Sequence, residues 1–595
     1  MADSYHFIGI GGIGMSGLAR LLLSQKIPVT GSDIAFNTII ESLIREGAVI
    51  HKGQAAENVP SGSKVIYTSD VKSDNPEYLA AVKMQCPLQH RSDLLAELLE
   101  GKRSLAVAGT HGKTTTSSLL ATVLVDADCD PSFAIGGMLP TYQSNALFGK
   151  GDLFVFEADE SDQSFLKYHP VGSIITNIDN DHLNNYESSI ALLIEAFKKF
   201  MSQVQSTEHL FWCRDDFYLA QLNVPGQCYG FHSASDWKIV SIRQEGFIMS
   251  FDLEHHGHLY KQIELALVGR HNVLNAAAVF GLSRTLGIPE ASIRQTFKTF
   301  KGILRRCENK GTYNGVLFLD DYAHHPTEIQ TTLHGIRQAI GPKRLIAVFQ
   351  PHRYSRTQDC LGQYGSIFES ADEVLLTDIY GAGETAIPGL SHTLIQEEIQ
   401  QNSTIPCRYV PRSALSHYLS QFVQPYDVVM TLGAGDITKL GSEALSLLEK
   451  QQPRQLKVGW IWDSQAVEHF KDKLQLVSSP YLNFCQFGMT NDGHWVVGKN
   501  ITECIEKKQD EAQRNDRFPA SMIQELLDCD VVVPILPAHQ ETAIQGFLEI
   551  LGKPYVRSGQ RTSLLDEEFD FLQLILFALQ EKRRKDRQHH SNLNH

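Results

Sequence analysis

The chain has 595 residues, more than one hydrophobic core usually organises, and at about 150 residues per domain this length predicts about four domains. Hydrophobic residues make up 42% and charged residues 20%, which is typical of globular proteins and excludes a mainly disordered chain. The formal net charge is -15 and the only dense basic run is Lys582–Lys585, so we expect no nucleic acid as a partner.

Hydropathy and cysteine spacing exclude two more classes of protein. No apolar run approaches the roughly 18 residues that a membrane-spanning helix needs, and the N-terminus has no signal-type apolar segment. The 10 cysteines are scattered without a C-x-x-C pair, which indicates neither a disulfide framework nor a zinc knuckle. We therefore expect a cytoplasmic protein without a membrane span.

Short β-type runs alternate with longer helical patterns along most of the chain, which predicts α/β units with parallel sheets. The runs are His6–Ile10, Val65–Tyr67, Ser104–Ala108, Phe154–Glu157, Ile174–Asn177, Leu345–Phe349 and Val428–Leu432. Glycine-rich turns between a strand and a helix occur near residues 11 and 112, too far apart for one mononucleotide unit. The sequence therefore predicts two nucleotide-type domains in series.

The second half of the chain shows three further changes of pattern. Alternating strands at Trp237–Val240, Phe247–Phe251 and Ile263–Val268 predict an antiparallel insertion in the second domain. A third α/β unit begins near Gly311, and the polar stretch Gln451–Gln455 is typical of a linker. A fourth unit follows that linker.

The first glycine turn, Ile8–Gly17, follows a strand and opens a helix. Gly9, Gly11 and Gly14 satisfy the pattern G-x-G-x-x-G, and Asp33 stands where a ribose-binding acid would lie. Glycines let the backbone approach a pyrophosphate, and the helix N-terminus offers N–H groups to the negative charge. From this turn alone a nicotinamide enzyme and a tight turn without a ligand both stay open.

The second turn, Ala108–Thr116, is more specific. Its Gly112-Lys113-Thr114 places an ammonium on the β- and γ-phosphates of a nucleotide and a hydroxyl on Mg²⁺. It departs from the generic phosphate loop because Val107 replaces the first glycine, and Gly109 supplies the flexibility two residues later. The turn predicts an ATP site.

Further polar motifs follow the second turn. They are Glu157–Asp162, Thr176–His182, Gly269–Asn275, Arg305–Arg306 and Asp320–Pro326. With the two turns they resemble, in the right order, the Mur ligases of peptidoglycan synthesis across roughly residues 5 to 450. Within that family, the first turn and the run Phe349–Thr357 resemble the members that use ATP and Mg²⁺ to join L-alanine to the carboxylate of UDP-N-acetylmuramate.

The resemblance implies an α/β fold with three Mur ligase domains. We expect a Rossmann-like UDP-binding domain at residues 1–100, a central P-loop ATPase domain at 101–305 and a Rossmann-like C-terminal domain at 306–450. Closure of the third domain would exclude water, which hydrolyses an acyl phosphate.

The resemblance also assigns roles to residues. Those expected at ATP are Gly109, Thr110, His111, Gly112, Lys113, Thr114, Thr115, Asn272, Asn275, Arg306 and Asp321, and those expected at metal are Thr114, Glu157 and His182. Lys113, Glu157, His182, Arg306 and Asp321 are the expected catalytic residues. The sugar-nucleotide residues are Gly11, Gly12, Ile13, Gly14, Met15, Ser16, Ser32, Asp33, Thr68, Ser69, His90 and Arg91, and Tyr322, His324, His352, Arg353 and Arg356 would orient the amino acid and the carboxylate.

The fourth unit, residues 456–580, resembles the N-terminal domain of D-alanine:D-alanine ligase. Lys457–Ile461 and Asp530–Leu536 carry much of this likeness, but Asp463 and Ser464 replace the paired glycines of that family. Only 36 residues follow Gly559, so we expect a degenerate domain that does not ligate D-alanine and could contact other cell-wall enzymes. We also predict a core-facing helix at Phe569–Phe577 and a disordered tail at residues 581–595.

Two alternatives stay open at this point. One is a recycling ligase that attaches a preformed peptide to the same nucleotide, against which the first turn and the run His352–Arg356 argue. The other is a non-catalytic scaffold that binds nucleotides and recruits wall-synthesis proteins, a role that does not require the predicted catalytic set.

Overall fold

The computed structural model describes residues 4–181, 183–451, 455–463, 482–489, 495–498 and 520–535, and single positions from 544 to 580. The chain divides into two compact units, Met1–Cys307 and Glu308–His595. The first unit contains two sheets, so the first two predicted domains share it.

The first sheet is the predicted Rossmann-like layer. Its strands are β1 (Tyr5–Ile8), β2 (Val29–Asp33), β3 (Val49–Lys52), β4 (Lys64–Tyr67) and β5 (Leu88–His90), and its helices are α1 (Ile13–Ser24), α2 (Thr38–Arg45), α3 (Pro76–Lys83) and α4 (Arg91–Leu99). All neighbouring strands pair in parallel, in the order β3-β2-β1-β4-β5. Strand β1 ends at Ile8, two residues before the end of the predicted run, because Gly9 takes a left-handed backbone with φ +79°.

The central sheet has ten strands in the order β15-β14-β13-β12-β11-β10-β6-β9-β7-β8. They are β6 (Arg103–Ala108), β7 (Ser132–Leu139), β8 (Ser144–Leu147), β9 (Leu153–Glu157), β10 (Gly172–Ile175), β11 (Leu210–Cys213), β12 (Gln227–Gly230), β13 (Trp237–Glu245), β14 (Ile248–His255) and β15 (His258–Leu265). The helices are α5 (Lys113–Asp126), α6 (Ile190–Ser202), α7 (Arg270–Thr285) and α8 (Glu290–Thr299).

Strands β13, β14 and β15 form the predicted antiparallel insertion. The third of them begins at His258, five residues before the predicted apolar run, and it ends at Leu265 instead of Val268. Most of its residues are exposed at the sheet edge, so the strand has little apolar alternation that the sequence could reveal.

Helix α1 is fixed against the central sheet. Asn145 of β8 is fully buried, and its amide donates to the Ile13 carbonyl at 2.6 Å and to the Ser16 hydroxyl at 3.3 Å. Arg20 donates to the Asn145 side-chain oxygen, and one hydrophobic cluster includes residues of both sheets. The helix that begins at the first glycine turn is therefore held by the domain that carries the second turn.

The second unit contains the third predicted α/β domain. Its strands are β16 (Glu308–Tyr313), β17 (Val316–Asp321), β18 (Leu345–Phe349), β19 (Glu373–Leu376), β20 (Cys407–Tyr409) and β21 (Val428–Leu432), and its helices are α9 (Pro326–Ile340), α10 (Tyr354–Asp359), α11 (His392–Asn402), α12 (Arg412–Phe422) and α13 (Leu440–Leu448). The strand order is β16-β17-β21-β18-β19-β20, with only β16 antiparallel to its neighbour in this sheet.

The described part of the fourth region forms a small α/β sheet, as predicted. Strands β22 (Leu456–Asp463), β23 (Leu482–Met489), β24 (Trp495–Gly498) and β25 (Val531–Ile535) lie in the order β24-β23-β22-β25, and helix α14 spans Ala520–Asp528. Of the predicted helix near residue 570, Ile575 and Leu576 are described, helical and buried. The predicted tail at 581–595 lies outside the described residues. Among the described helices, none has the length and apolar composition needed to cross a membrane.

Candidate active site

The second glycine turn joins β6 to α5. Gly109 has φ +132°, and a Cβ there would lie 2.1 Å from the Thr176 hydroxyl, so no other residue fits without a shift. Gly112 has φ +85°, and helix α5 begins directly after it at Lys113. The turn therefore has the tight backbone and the helix N-terminus that a phosphate site needs.

The side chain of Lys113 lies inside this turn. Its ammonium donates to the carbonyls of Gly109 at 2.6 Å and Thr110 at 3.1 Å, and to both carboxylate oxygens of Glu160 at 3.0 and 2.8 Å. Burial raises the pKa of the Glu160 carboxyl to about 7, although the Lys113 ammonium opposes this shift. Lys113 is thus paired with a buried carboxyl group of raised pKa, at the place where a nucleotide phosphate is expected.

A carboxylate and a hydroxyl form a small cradle beside Lys113. The Thr114 hydroxyl donates to one oxygen of Glu157 at 3.1 Å, and the Ser117 hydroxyl donates to the other at 3.0 Å. A Cβ at Gly136 would lie 2.7 Å from the carboxylate of Glu157 and 2.9 Å from the hydroxyl of Thr114. The cradle offers two hard oxygen ligands and space that any larger residue would fill, so these residues fit Mg²⁺.

Parallel pairing explains why these groups meet. Strands β9 and β10 flank β6, so Glu157 and the residues after Ile175 lie at the same sheet edge as the turn. There the Asn177 side chain accepts the His111 N–H at 2.8 Å, and the His111 ring lies 2.8 Å from the carboxylate of Asp179. His182, the predicted ligand of a second metal ion, lies outside the described residues.

Asn272 and Asn275, the residues predicted to lie beside adenine, are close to the second glycine turn. On helix α7, the Asn275 amide donates to the side-chain oxygen of Asn272 at 3.3 Å, which confirms that the two share a face. A Cβ at Gly112 would lie 3.1 Å from the Asn275 side-chain oxygen. Thr115 is buried in the first turn of α5.

Arg306 follows a segment that packs beside the cradle. The Leu304 N–H donates to the Met138 carbonyl at 3.1 Å, and Ile303 would clash with a Cβ at Gly137. The Arg306 N–H donates to the Ile303 carbonyl at 3.1 Å. The backbone of Arg306 is therefore fixed relative to β7, one residue after a left-handed Arg305 at φ +64°.

The first glycine turn is stabilised by the end of the neighbouring strand β2. The Gly11 N–H donates to the Asp33 carboxylate at 2.9 Å, and the N–H groups of Gly9 and Ile10 donate to the Ser32 carbonyl at 2.9 and 3.0 Å. Gly12 and Gly14 are exposed, Ile13 is half-buried, and Met15 and Ser16 point into the core.

Ser32 does not present its side chain to this surface. The residue is fully buried, and its hydroxyl donates to Glu77 at 2.6 Å. Its contribution to the turn is its backbone carbonyl.

The other predicted sugar-nucleotide residues lie at the ends of β4 and β5. Thr68 is half-buried, and the Ser69 hydroxyl lies 3.1 Å from the His90 ring. One Arg91 nitrogen would lie 3.4 Å from a Cβ at Gly14, which places the guanidinium beside the first turn. Burial lowers the pKa of His90, and the nearby Asp162 opposes this shift. The structure thus brings Arg91 to the turn from another helix.

In the second unit, the predicted amino-acid residues lie at the carboxyl ends of β17 and β18. The His324 ring contacts the rings of Tyr322 and His352, with centroids 5.4 and 5.9 Å away. Asp321 is buried and accepts the Ala323 N–H at 2.8 Å, while Arg353 is exposed with φ +66°. Arg356 follows on helix α10.

Three site residues were missed by the sequence reasoning. Gly136 shapes the cradle, Glu160 holds Lys113, and the Tyr380 ring stacks on His352 at 5.7 Å and 10°. The pair Gly136-Gly137 and the four acids within residues 157–162 are the signals that could have revealed the first two. Tyr380 carried no signal because its contact depends on strand order.

Comparison with known proteins agrees with this arrangement. The Mur ligase family catalytic domain matches residues 4–103, the Mur ligase middle domain residues 107–283, and the Mur ligase glutamate ligase domain residues 305–435. The chain therefore belongs to the Mur ligase family.

Its relatives define the branch of that family. UDP-N-acetylmuramate–L-alanine ligase of Protochlamydia amoebophila is 64% identical over 449 residues, which cover 76% of this chain and 99% of that protein. The bifunctional enzyme MurC/Ddl of Chlamydia trachomatis is 40% identical over 560 residues, 93% of this chain and 68% of that protein. The second alignment extends into the fourth region and agrees with its predicted likeness to D-alanine:D-alanine ligase.

A solved structure shares the fold. The UDP-N-acetylmuramate-alanine ligase MurC of Thermotoga maritima is 28% identical and superposes with a TM-score of 0.66, covering 76% of this chain and all of that chain.

Proposed function

We propose that this chain joins L-alanine to the carboxylate of UDP-N-acetylmuramate in an ATP-dependent step of peptidoglycan precursor synthesis. The observation that carries this proposal is the P-loop of Lys113 with the cradle of Thr114 and Glu157, in a chain 64% identical to a ligase of that name. Because the reaction uses ATP and a UDP-sugar, we propose the cytoplasm as its place.

The chemistry follows from the poor reactivity of a carboxylate. An oxygen of the muramoyl carboxylate attacks the γ-phosphorus of ATP, the bond to the ADP oxygen breaks, and an acyl phosphate forms. The amine of L-alanine then attacks the carbonyl carbon, phosphate leaves with its bonding electrons, and the nitrogen loses a proton. The products are the amide, ADP and phosphate.

The residues of the second turn stabilise the charge that moves in the first step. Lys113 would exchange Glu160 for the β- and γ-phosphates, and the N-terminus of α5 would supply N–H groups to the same oxygens. Mg²⁺, when held by the Thr114 hydroxyl and the Glu157 carboxylate, supplies positive charge to these phosphates. We assign Gly109–Thr115, Asn272 and Asn275 to the same nucleotide.

Other assignments rest on the family resemblance. We propose that the first turn, with Asp33, Thr68, Ser69, His90 and Arg91, binds the UDP-sugar, and that Arg306 and Asp321 act on ATP. His182 is proposed for a second metal ion. The residues proposed to orient L-alanine and the carboxylate are Tyr322, His324, His352, Arg353 and Arg356. The domain limits 1–100, 101–305, 306–450 and 456–580, and contacts of the last domain with other wall enzymes, are proposals of the same kind.

The test is phosphate release by the full chain with ATP, Mg²⁺, UDP-N-acetylmuramate and L-alanine, with each component omitted in turn. We expect release only with the complete mixture, together with a product whose mass is the sum of sugar nucleotide and alanine less water. A preformed peptide replaces L-alanine in a parallel assay. Release with the peptide alone would establish the recycling ligase, and no release in either assay would favour a scaffold.

A further inference from the structure

One six-residue segment supplies acids to both glycine turns. Residues 157–162 leave the carboxyl end of β9, where Glu157 binds Thr114 and Glu160 binds Lys113. The remaining two acids, Asp159 and Asp162, instead face the first domain. The segment therefore contacts the proposed ATP site and the proposed sugar-nucleotide site at once.

One carboxylate oxygen of Asp162 contacts its own loop, and the other contacts the first domain. Its Oδ1 accepts the Ser164 N–H at 3.0 Å, which closes a local turn in its own loop. Its Oδ2 accepts from the Ser69 hydroxyl at 3.2 Å and from Arg91 at 3.3 Å, and lies 4.0 Å from the His90 ring nitrogen. Only 13% of the side chain is exposed.

The three residues beside Oδ2 of Asp162 belong to the proposed sugar-nucleotide site. Ser69 and His90 contact each other at 3.1 Å, and one nitrogen of Arg91 faces Gly14 of the first turn. The ion pairs of the Arg91 guanidinium run to Asp159 and Asp162, which both belong to the central domain. The orientation of this cation is thus set across the boundary between the two sheets.

Asp159 makes the same kinds of hydrogen bonds as Asp162, but different charges lie near it. Its Oδ1 accepts the Ser161 N–H at 3.0 Å and its Oδ2 accepts from Arg91 at 2.7 Å. Burial would raise the pKa of Asp159, but the charges of Lys113 and Arg91 outweigh it and hold the pKa well below its usual value. The charge of Asp159 is therefore coupled to the cations of both turns, whereas the contacts of Asp162 lead only to the first.

We propose that Asp162, although it lies in the ATP-binding domain, is a positioning residue for the sugar nucleotide. It holds Arg91, Ser69 and His90 in one arrangement at the first turn, so that the diphosphate and the sugar meet a fixed cation and fixed donors. A long Arg side chain that is already oriented loses less conformational freedom when the ligand binds. This inference rests on the proposed function of the first turn.

The test uses Asp162→Asn in the full chain. Asparagine keeps the Oδ1 acceptor and the local turn, but it places a neutral amide where Oδ2 faces the guanidinium. We expect the KM for UDP-N-acetylmuramate to rise about tenfold, as loss of one charge-assisted hydrogen bond implies. The KM for ATP is expected to stay within about twofold, because the contacts of Asp162 do not include Lys113.

The matched control is Lys167→Gln. Lys167 forms an ion pair with Asp93 between the same two domains, and both side chains are 43% exposed. If this variant raises the KM for the sugar nucleotide as much as Asp162→Asn does, the effect is general loosening of the domain contact and the proposal is overturned. An equal rise in both KM values for Asp162→Asn would also overturn it.

Calorimetry with UDP separates this inference from the proposed function. Wild-type protein that binds UDP without turning over substrate contradicts the proposed reaction, and the loss of UDP affinity in Asp162→Asn still measures the positioning role. Unchanged UDP affinity in that variant, or a wild-type protein that does not bind UDP, would contradict the inference itself.

Discussion

The two glycine turns of the first unit have the same backbone arrangement, but they differ in which part of the chain supplies the positive charge beside them. Each follows a parallel strand and opens a helix, α1 at Ile13 and α5 at Lys113. The second turn carries its own cation, Lys113. The first has no basic residue between positions 8 and 17, and Arg91 of helix α4 stands beside it instead.

The acids at the two turns differ in the same way. Asp33 accepts a backbone N–H of the first turn, so it stabilises a conformation that ligand binding need not change. Glu160 pairs with the cation of the second turn, so this pair would have to open for the phosphates of the proposed ATP site to bind. The first turn is thus prearranged by its acid, whereas the proposed role of the second turn requires Lys113 to exchange partners. Variants of each turn should therefore affect different measurements.

Lys113→Ala should give the largest effect and the cleanest separation of the turns. We expect turnover to fall by about 10³-fold or more, because the phosphates lose their principal side-chain cation. UDP binding, measured by calorimetry, should survive because its proposed site lies on the other turn. Loss of both together would contradict the division of labour between the two turns.

Stability must be measured in the same variant. Above the pKa that Glu160 has without Lys113, where its carboxylate is charged, removing Lys113 leaves this buried group without its ion pair, which typically costs about 3 to 5 kcal/mol. The double variant Lys113→Ala, Glu160→Gln removes both charges and should recover most of the melting temperature without recovering turnover. Recovery of turnover in the double variant would mean that Lys113 only balances Glu160.

Gly136→Ala should give the next largest effect. The added methyl would lie 2.7 Å from Glu157 and 2.9 Å from Thr114, so the cradle cannot keep its shape. We expect turnover to fall about 100-fold with a raised requirement for Mg²⁺, as for loss of a group that orients a metal ligand. A titration of activity against Mg²⁺ measures this, and an unchanged Mg²⁺ requirement would place the metal elsewhere.

The sequence predicted the parts of the site that are local. The turn at Gly109–Thr114 follows from the strand, the glycines and the helix, and the spacing of Asn272 and Asn275 places both amides on one face. The pair Gly136-Gly137 indicates an unusual backbone position, but its contact with Glu157 depends on the pairing of β7 with β9 and could not be predicted locally.

The same limit applies to the contacts of the first turn. The family resemblance places Ser32 near the sugar nucleotide, but local sequence does not show that the Ser32 side chain turns inward to Glu77. Nor does it show that Arg91 and Asp162 meet, since Arg91 begins helix α4 and Asp162 lies in the loop after β9. The order of strands and the packing of sheets decide these contacts, and no local period encodes them.

Gly12→Ala tests the first turn with a smaller change. A Cβ there meets only the Gly9 carbonyl at 3.5 Å, an ordinary contact, so the melting temperature should not change. If a pyrophosphate lies against this glycine, the methyl should weaken UDP binding about tenfold or more. Gly11→Ala is the matched variant, since its Cβ would lie 2.8 Å from Asp33 and should destabilise the protein itself. Equal UDP affinity in wild type and Gly12→Ala would remove the first turn from the binding site.

The smallest expected effect on UDP binding concerns Glu77, which is fully buried beneath the first turn. Burial would raise its pKa, but hydrogen bonds from His6, Ser32 and Asn58 outweigh burial and lower the pKa. Because the folded pKa is depressed, this carboxylate stabilises the fold above the ordinary glutamate pKa of about 4.3, and the contribution is lost as pH falls through the folded value. Glu77→Gln should cost about 1.5 to 3 kcal/mol at pH 7.

The variant should approach wild-type stability in acid, because wild type loses the charged form there and the variant has none to lose. Melting curves at pH 7 and near the acid limit of folding measure this, with UDP affinity as the second readout. UDP affinity should change by no more than about threefold, since the Ser32 carbonyl that holds Gly9 and Ile10 is backbone and stays in place. A stability difference independent of pH would mean that shape, and not charge, is what Glu77 contributes beneath the turn.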